Sequence, residues 1–190
     1  FESNSALGNI YLRQGQFDKA LVHFNQAIAA RADDLGSCVA RGYIYAQQGK
    51  SEDALIEFRR CVQLAPNDLT SRRNLGGVLR QMGRNEEAIK EFEQAESLAP
   101  NDLLTIQNLA DLYRLAGRLD DSLKRIERWA ELAPDDYNSH KNLSLMYRDL
   151  GRVAEAITQA QMALSLAPDD QKPPLESYLS QLKEQQKASQ

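Results

Sequence analysis

Two histidines, His23 and His140, and two cysteines, Cys38 and Cys61, are the only imidazoles and thiols in a chain of 190 residues. The cysteines stand 23 positions apart with no CxxC spacing, so neither a disulfide framework nor a zinc site is suggested, and two buried reduced thiols are expected. His140 is expected as a packing histidine with its ring nitrogens satisfied. The sequence has no glycine-rich phosphate loop and no nucleophile elbow. The acidic pairs Asp33-Asp34, Asp135-Asp136 and Asp169-Asp170 offer adjacent carboxylates that could hold a cation. Each pair precedes a helical pattern and recurs at a fixed interval, so helix capping is the expected use. No catalytic residue, metal ligand or cofactor is expected, and the segment is not expected to be an enzyme.

The chemistry that does recur is that of amides and guanidinium groups. Asn74, Asn108 and Asn142 form one evenly spaced row, and Arg80, Arg114 and Arg148 form a second, with Arg73 and Lys141 beside the asparagines. Taking Leu75 as the inward direction at ~100° per residue, Arg73, Asn74, Gly77, Arg80 and Gln81 fall on the opposite half of one helix. Asparagine is a middling helix former, so three copies at equivalent exposed places need a reason beyond propensity. Its amide carries donor and acceptor together, which suits a peptide main chain. Against Asp111 and Asp149, the five basic residues give this face a formal +3, leaving -7 on the rest of a chain whose total is -4. Such a strip would favour acidic side chains or a free carboxylate. In the first half the corresponding face, with Leu12, Val39, Tyr43 and Ala46, is less charged and could take an apolar anchor.

What must position these rows is a strict period. Ala65-Pro66-Asn67-Asp68, Ala99-Pro100-Asn101-Asp102, Ala133-Pro134-Asp135-Asp136 and Ala167-Pro168-Asp169-Asp170 recur every 34 residues, and Ala32-Asp33-Asp34 keeps the acids one period earlier without the proline. Gly15, Gly49, Gly83, Gly117 and Gly151 repeat at the same spacing midway between them. Leu75, Val78, Leu79 and Met82 before the glycine, and Ala88, Ile89, Phe92, Ala95 and Leu98 after it, follow helical spacing. Glycine ends one helix, and proline with its acidic neighbour ends the second and starts the next. The unit is a helix-turn-helix hairpin.

These residues resemble the tetratricopeptide repeat family. Leu7, Gly8, Tyr11, Ala20, Phe24 and Ala27 stand where that family places its packing residues, followed by Gly42, Tyr45, Ala54 and Phe58, then Leu75, Gly76, Ala88, Phe92 and Ala95. The resemblance implies an all-α, right-handed α-solenoid of five repeats (1–34, 35–68, 69–102, 103–136 and 137–170), whose first helices line the concave side. Small Gly8, Gly42, Gly76, Ala110 and Ser144 allow close helix approach. Trp129, Ser122 and Ala160 depart from the pattern, and Trp129 is expected to be structural, with repacking around Ala160 as compensation. After Asp170 the period stops; Pro173-Pro174 introduces Leu175, Tyr178, Leu179 and Leu182, so 171–190 is expected to be a capping helix with a frayed polar tail from Lys183.

The asparagine row also resembles the ladder in the tetratricopeptide region of the O-linked N-acetylglucosamine transferases, which holds extended polypeptides by their main chain. Only Asn74, Asn108 and Asn142 carry over, because Ala6 and Ala40 occupy the earlier places. The family's carboxylate clamp fits less well: its places read Arg73, Gly77, Asn108, Asn138 and Asn142, of which Arg73 and Asn108 are suitable. The expected function is a protein interaction scaffold that takes an extended or helical segment through Asn74, Asn108, Asn142, Arg73, Arg80, Arg114, Lys141 and Arg148. The alternatives are an assembly module using the convex face or repeat ends, with self-association, and the substrate-recruiting region of a larger glycosyltransferase-like enzyme.

Net charge argues against a general nucleic-acid partner, which usually requires a basic field. No run approaches the ~18 apolar residues of a membrane span, and no basic-then-apolar leader is visible, so no membrane insertion is expected and the cytoplasm is the expected compartment. The chain starts at Phe1 inside a repeat, from which a piece of a longer protein is expected.

Overall fold

The computed structural model describes residues 2–188, and among them all regular structure is helical. Five hairpins follow one another: α1 (Glu2–Arg13) with α2 (Phe17–Ala30), α3 (Leu35–Gln47) with α4 (Ser51–Leu64), α5 (Leu69–Gln81) with α6 (Asn85–Leu98), α7 (Leu103–Leu115) with α8 (Leu119–Leu132), and α9 (Tyr137–Asp149) with α10 (Val153–Leu166). A 3-10 turn, Asp169–Gln171, leads into α11 (Lys172–Ala188). The fold class is an α-solenoid of stacked helix-turn-helix units. No helix among the described residues is long and apolar enough to cross a membrane.

The punctuation read from the sequence is used locally as expected. At the turn inside each hairpin the glycine takes φ between 69° and 75°, a left-handed conformation that a β-carbon penalises. Gly49 N–H bonds to the Ala46 carbonyl at 3.1 Å and Lys50 N–H to the Tyr45 carbonyl at 2.9 Å, which satisfies carbonyls the helix end would otherwise leave open. The same pair of bonds recurs at Gly83, Gly117 and Gly151.

Between hairpins a carboxylate caps the next helix. Asp34, Asp68 and Asp102 accept from the backbone N–H of Ser37, Ser71 and Thr105 at 3.3, 2.7 and 3.0 Å, and Asp136 accepts from Asn138 N–H at 3.0 Å. The acidic pairs do not act as pairs. Asp33 lies outside the cap and binds Arg31 at 3.1 Å. Asp169 and Asp170 correct the expectation: they sit in the 3-10 turn, which has no side-chain cap, and Asp169 pairs with Lys172 at 2.6 Å.

The chain divides into two compact units, residues up to Pro100 and from Asn101 onward. In the first, each A helix (the earlier helix of a hairpin) approaches its partner across a glycine and a phenylalanine. A β-carbon on Gly8, Gly42 or Gly76 would come within 2.7, 2.6 or 2.8 Å of the rings of Phe24, Phe58 or Phe92. Those rings are almost fully buried, so the glycines are set by volume. In the second unit the same exchange of volume runs the other way. Ala110 replaces glycine and Ile126 replaces phenylalanine, and Ser144 meets a helix carrying Ala160.

The expected compensation of Trp129 by repacking around Ala160 is not what the structure uses. Ala156 and Ala160 pack against Leu179 and Leu182, so α11 fills the space. Trp129 is buried and anchored by its own hydrogen bond, from Nε1 to Asp136. Ser122, fully buried, donates to the Ala110 carbonyl at 2.8 Å and so leaves no unsatisfied hydroxyl.

Two further expectations are corrected. Cys38 and Cys61 are joined in a disulfide between α3 and α4, with Cα atoms 5.9 Å apart, rather than standing as separate thiols. Linear spacing concealed this because the hairpin turn brings positions 23 apart to facing places on antiparallel helices. The polar tail expected from Lys183 is helical through Ala188, because Gln, Lys, Glu and Ala are good helix formers and no breaker follows Pro174. Ser189 and Gln190 lie outside the described residues.

Candidate functional site

In α5 the burial pattern separates two faces. Ser71, Leu75, Gly76, Val78 and Leu79 are buried, whereas Arg73, Asn74 and Arg80 are half-buried and Gly77 and Gln81 are exposed. Gly76 and Gly77 are neighbours with opposite reasons for existing. Gly76 is required by the Phe92 ring, but a β-carbon on Gly77 would meet nothing within 4 Å. A mid-helix glycine costs about 0.5–1 kcal/mol relative to alanine, and no packing inside the protein accounts for this one.

In the second unit the two asparagines are held alike. Asn108 Nδ2 donates to the Leu104 carbonyl at 2.8 Å and Asn142 Nδ2 to the Asn138 carbonyl at 2.9 Å, each four residues back on its own helix. The matching bonds fix one side-chain orientation at equivalent positions of successive repeats. They also change the chemistry expected of the row: one amide N–H of each is committed to its own helix.

The basic residues differ in how they are held. Arg114 is exposed. Lys141 lies over the Tyr137 ring with Nζ 5.5 Å from its centroid, and Arg148 lies 5.7 Å over Tyr178. Arg148 also pairs with Asp149 at 2.7 Å, and that hydrogen bond raises the guanidinium pKa above its ordinary value. Its positive charge is therefore partly countered within the protein.

Sequence reasoning missed a cleft of about 210 Å³ in the second unit, lined by Tyr137, Lys141, Leu145, Gln171, Pro174, Leu175 and Tyr178. Tyr137, Lys141 and Leu145 share one stripe of α9 at four-residue spacing; the opposite wall is the start of α11. The buried residues of α11, Leu175, Leu179 and Leu182, stand 36 positions after Ser139, Leu143 and Met146, two beyond the 34-residue period. That slip was the available signal.

Both histidines have structural partners. His140 contacts Oε1 of Gln159 through Nδ1 at 2.8 Å and the Pro134 carbonyl through Nε2 at 2.9 Å. His23 faces Asn4 at 3.3 Å and stacks on Tyr11. The pairs Asn4–His23, Arg72–Glu91 and His140–Gln159 occupy the same interhelical place two or four periods apart, with chemistry varied around a fixed contact. No group of three or more metal-binding side chains occurs among the described residues.

Three family models described as Tetratricopeptide repeat match residues 3–34, 37–101 and 79–145. No curated protein matches. Among solved structures, the crystal structure of MamA superposes with a TM-score of 0.79 at 20% identity, covering 84% of this chain and 94% of that one. MamA 41-end from Desulfovibrio magneticus RS-1 gives 0.75 at 20%, covering 87% and 92%. YrrB, described as a TPR protein with an unusual peptide-binding site, gives 0.78 at 17%, covering 92% and 88%.

Proposed function

The chain belongs to the tetratricopeptide repeat family, and from that premise we propose that it is a non-catalytic scaffold whose A-helix faces hold an extended segment of another polypeptide. The observation that carries the reading is the identical tethering of Asn108 and Asn142, which presents the same amide in the same orientation at a repeat interval. The peptide-binding site in YrrB's description is consistent with it.

Packed helices lie roughly 10 Å apart and a strand rises about 3.3 Å per residue, so an extended ligand advances about three residues per repeat. Asn108 and Asn142 would then meet main-chain groups at this interval, and Asn74 would offer the same amide on α5. Arg73, Arg80, Arg114, Lys141 and Arg148 would add attraction for acidic side chains or a carboxylate terminus. Gly77 would let ligand backbone approach α5 closely.

The test is affinity capture of partners with the protein and with the triple variant Asn74→Ala, Asn108→Ala, Asn142→Ala, followed by titration of a captured partner. At ~1 kcal/mol net per hydrogen bond, the variant should bind about 2–4 kcal/mol more weakly, roughly 30- to 1,000-fold, with unchanged helix content. Unaltered affinity would move the binding surface elsewhere.

A further inference from the structure

We propose that the cleft between α9 and α11 is a side-chain socket that takes one apolar residue of a bound segment, with a carboxylate within two residues of it seated on Lys141. This rests on the scaffold reading and adds to it the chemistry of the partner.

The size of the cleft decides what class of occupant it fits. At about 210 Å³ it falls below the roughly 300–1,000 Å³ of small-molecule and cofactor sites, but it has room for one side chain of leucine or phenylalanine size. Its walls are apolar or aromatic on both sides: Leu145 and Tyr137 from α9, and Pro174, Leu175 and Tyr178 from α11. Leu175 is buried, Tyr137, Leu145 and Tyr178 are half-buried, and Pro174 is exposed, so the cleft has a floor and an open mouth.

The cleft carries charge of one sign. Lys141 is the charged residue in its lining. Its ammonium is positioned over Tyr137, and among the described residues it forms no ion pair. Three carboxylates of this unit are engaged elsewhere: Asp149 holds Arg148, Asp169 holds Lys172, and Asp170 accepts from Gln171. An apolar socket with a cation on its wall is complementary to an apolar residue with an acid close by, and mismatched to one flanked by lysine or arginine.

The socket shares α9 with the face already described. Lys141 is adjacent to Asn142, whose tethered amide would bind main chain, so one ligand residue in the cleft would fix the register of the whole segment. The repeating amides alone leave that register open, because every peptide unit looks alike to them.

The experiment is selection from a displayed library of random twelve-residue peptides on the immobilised full chain. Individual enriched peptides are then titrated against the protein and the variants Leu145→Trp and Lys141→Glu. Enrichment of Leu, Ile, Met or Phe within two positions of Asp or Glu is expected. Leu145→Trp, which fills the socket, should weaken such a peptide at least about tenfold. Lys141→Glu should weaken it about tenfold and recover binding when the peptide's acid is exchanged for lysine. That charge-reversal rescue cannot come from damage to the fold, so the inference stays testable if Leu145→Trp misfolds. Enriched peptides without the acid–apolar pairing, or peptides indifferent to Lys141→Glu, would overturn the socket and leave the scaffold standing. A selection that enriches nothing would overturn both.

Discussion

Trp129 donates from Nε1 to Oδ2 of Asp136 at 2.9 Å, while Oδ1 of the same carboxylate accepts the backbone N–H of Asn138 at 3.0 Å. One side chain thus caps α9 and ties down the indole near the end of α8. Trp129→Phe should cost about 1.5–3 kcal/mol, the range for a hydrogen bond to a charged group. Asp136→Ala should cost more, since it removes the cap as well, worth about 0.5–2 kcal/mol. Urea unfolding followed by circular dichroism would measure both, and the double variant should be less destabilised than the two singles added together. Strict additivity would show that the two residues do not act through this bond.

Neighbouring glycines give a prediction of opposite signs. Gly76→Ala drives a β-carbon to 2.8 Å from the buried ring of Phe92 and should destabilise by about 1–3 kcal/mol. Gly77→Ala meets nothing and should stabilise by about 0.5–1 kcal/mol in the absence of ligand. Thermal unfolding of the two variants decides it; a loss of stability in Gly77→Ala would mean that the residue serves the fold after all.

The disulfide predicts shielded chemistry. Cys38 and Cys61 are fully buried, so an alkylating reagent should label neither until denaturant and reductant are both present. Closing a loop of this length should add about 2–4 kcal/mol over the reduced protein. Cys61→Ala should pack without a cavity of note, because Ala27 and Ala95 fill the equivalent places with complete burial. Labelling of both cysteines in denaturant alone would show that the bond is not formed.

The turns inside successive hairpins carry exposed ion pairs, Arg84–Glu87, Arg118–Asp121 and Arg152–Glu155. The arginine hydrogen bond holds each carboxyl below its usual pKa. A depressed folded pKa means the pair's contribution is present above the unfolded pKa and fades as pH falls through the folded one. Carbon-detected NMR titration should therefore find Glu155 ionising below the ordinary glutamate range, and Arg152→Gln should return it upward. An unmoved titration would show that the pair does not form in solution.

Much of this was legible in the linear chain because repeat proteins depend on neighbours in sequence. Glycine is favoured where φ must be positive, and aspartate where a helix start has unpaired N–H groups, so both wrote the hairpin boundaries directly into the period. The 34-residue interval likewise fixed the positions of Asn108 and Asn142. Side-chain orientation, disulfide pairing and the meeting of α9 with α11 depend on distances through space, which spacing along the chain does not encode. Only the tertiary structure could turn the Asn142 amide back onto its own helix, join Cys38 to Cys61, give Ala160 its partners in Leu179 and Leu182, and open the cleft beside Lys141 where α11 leaves the period.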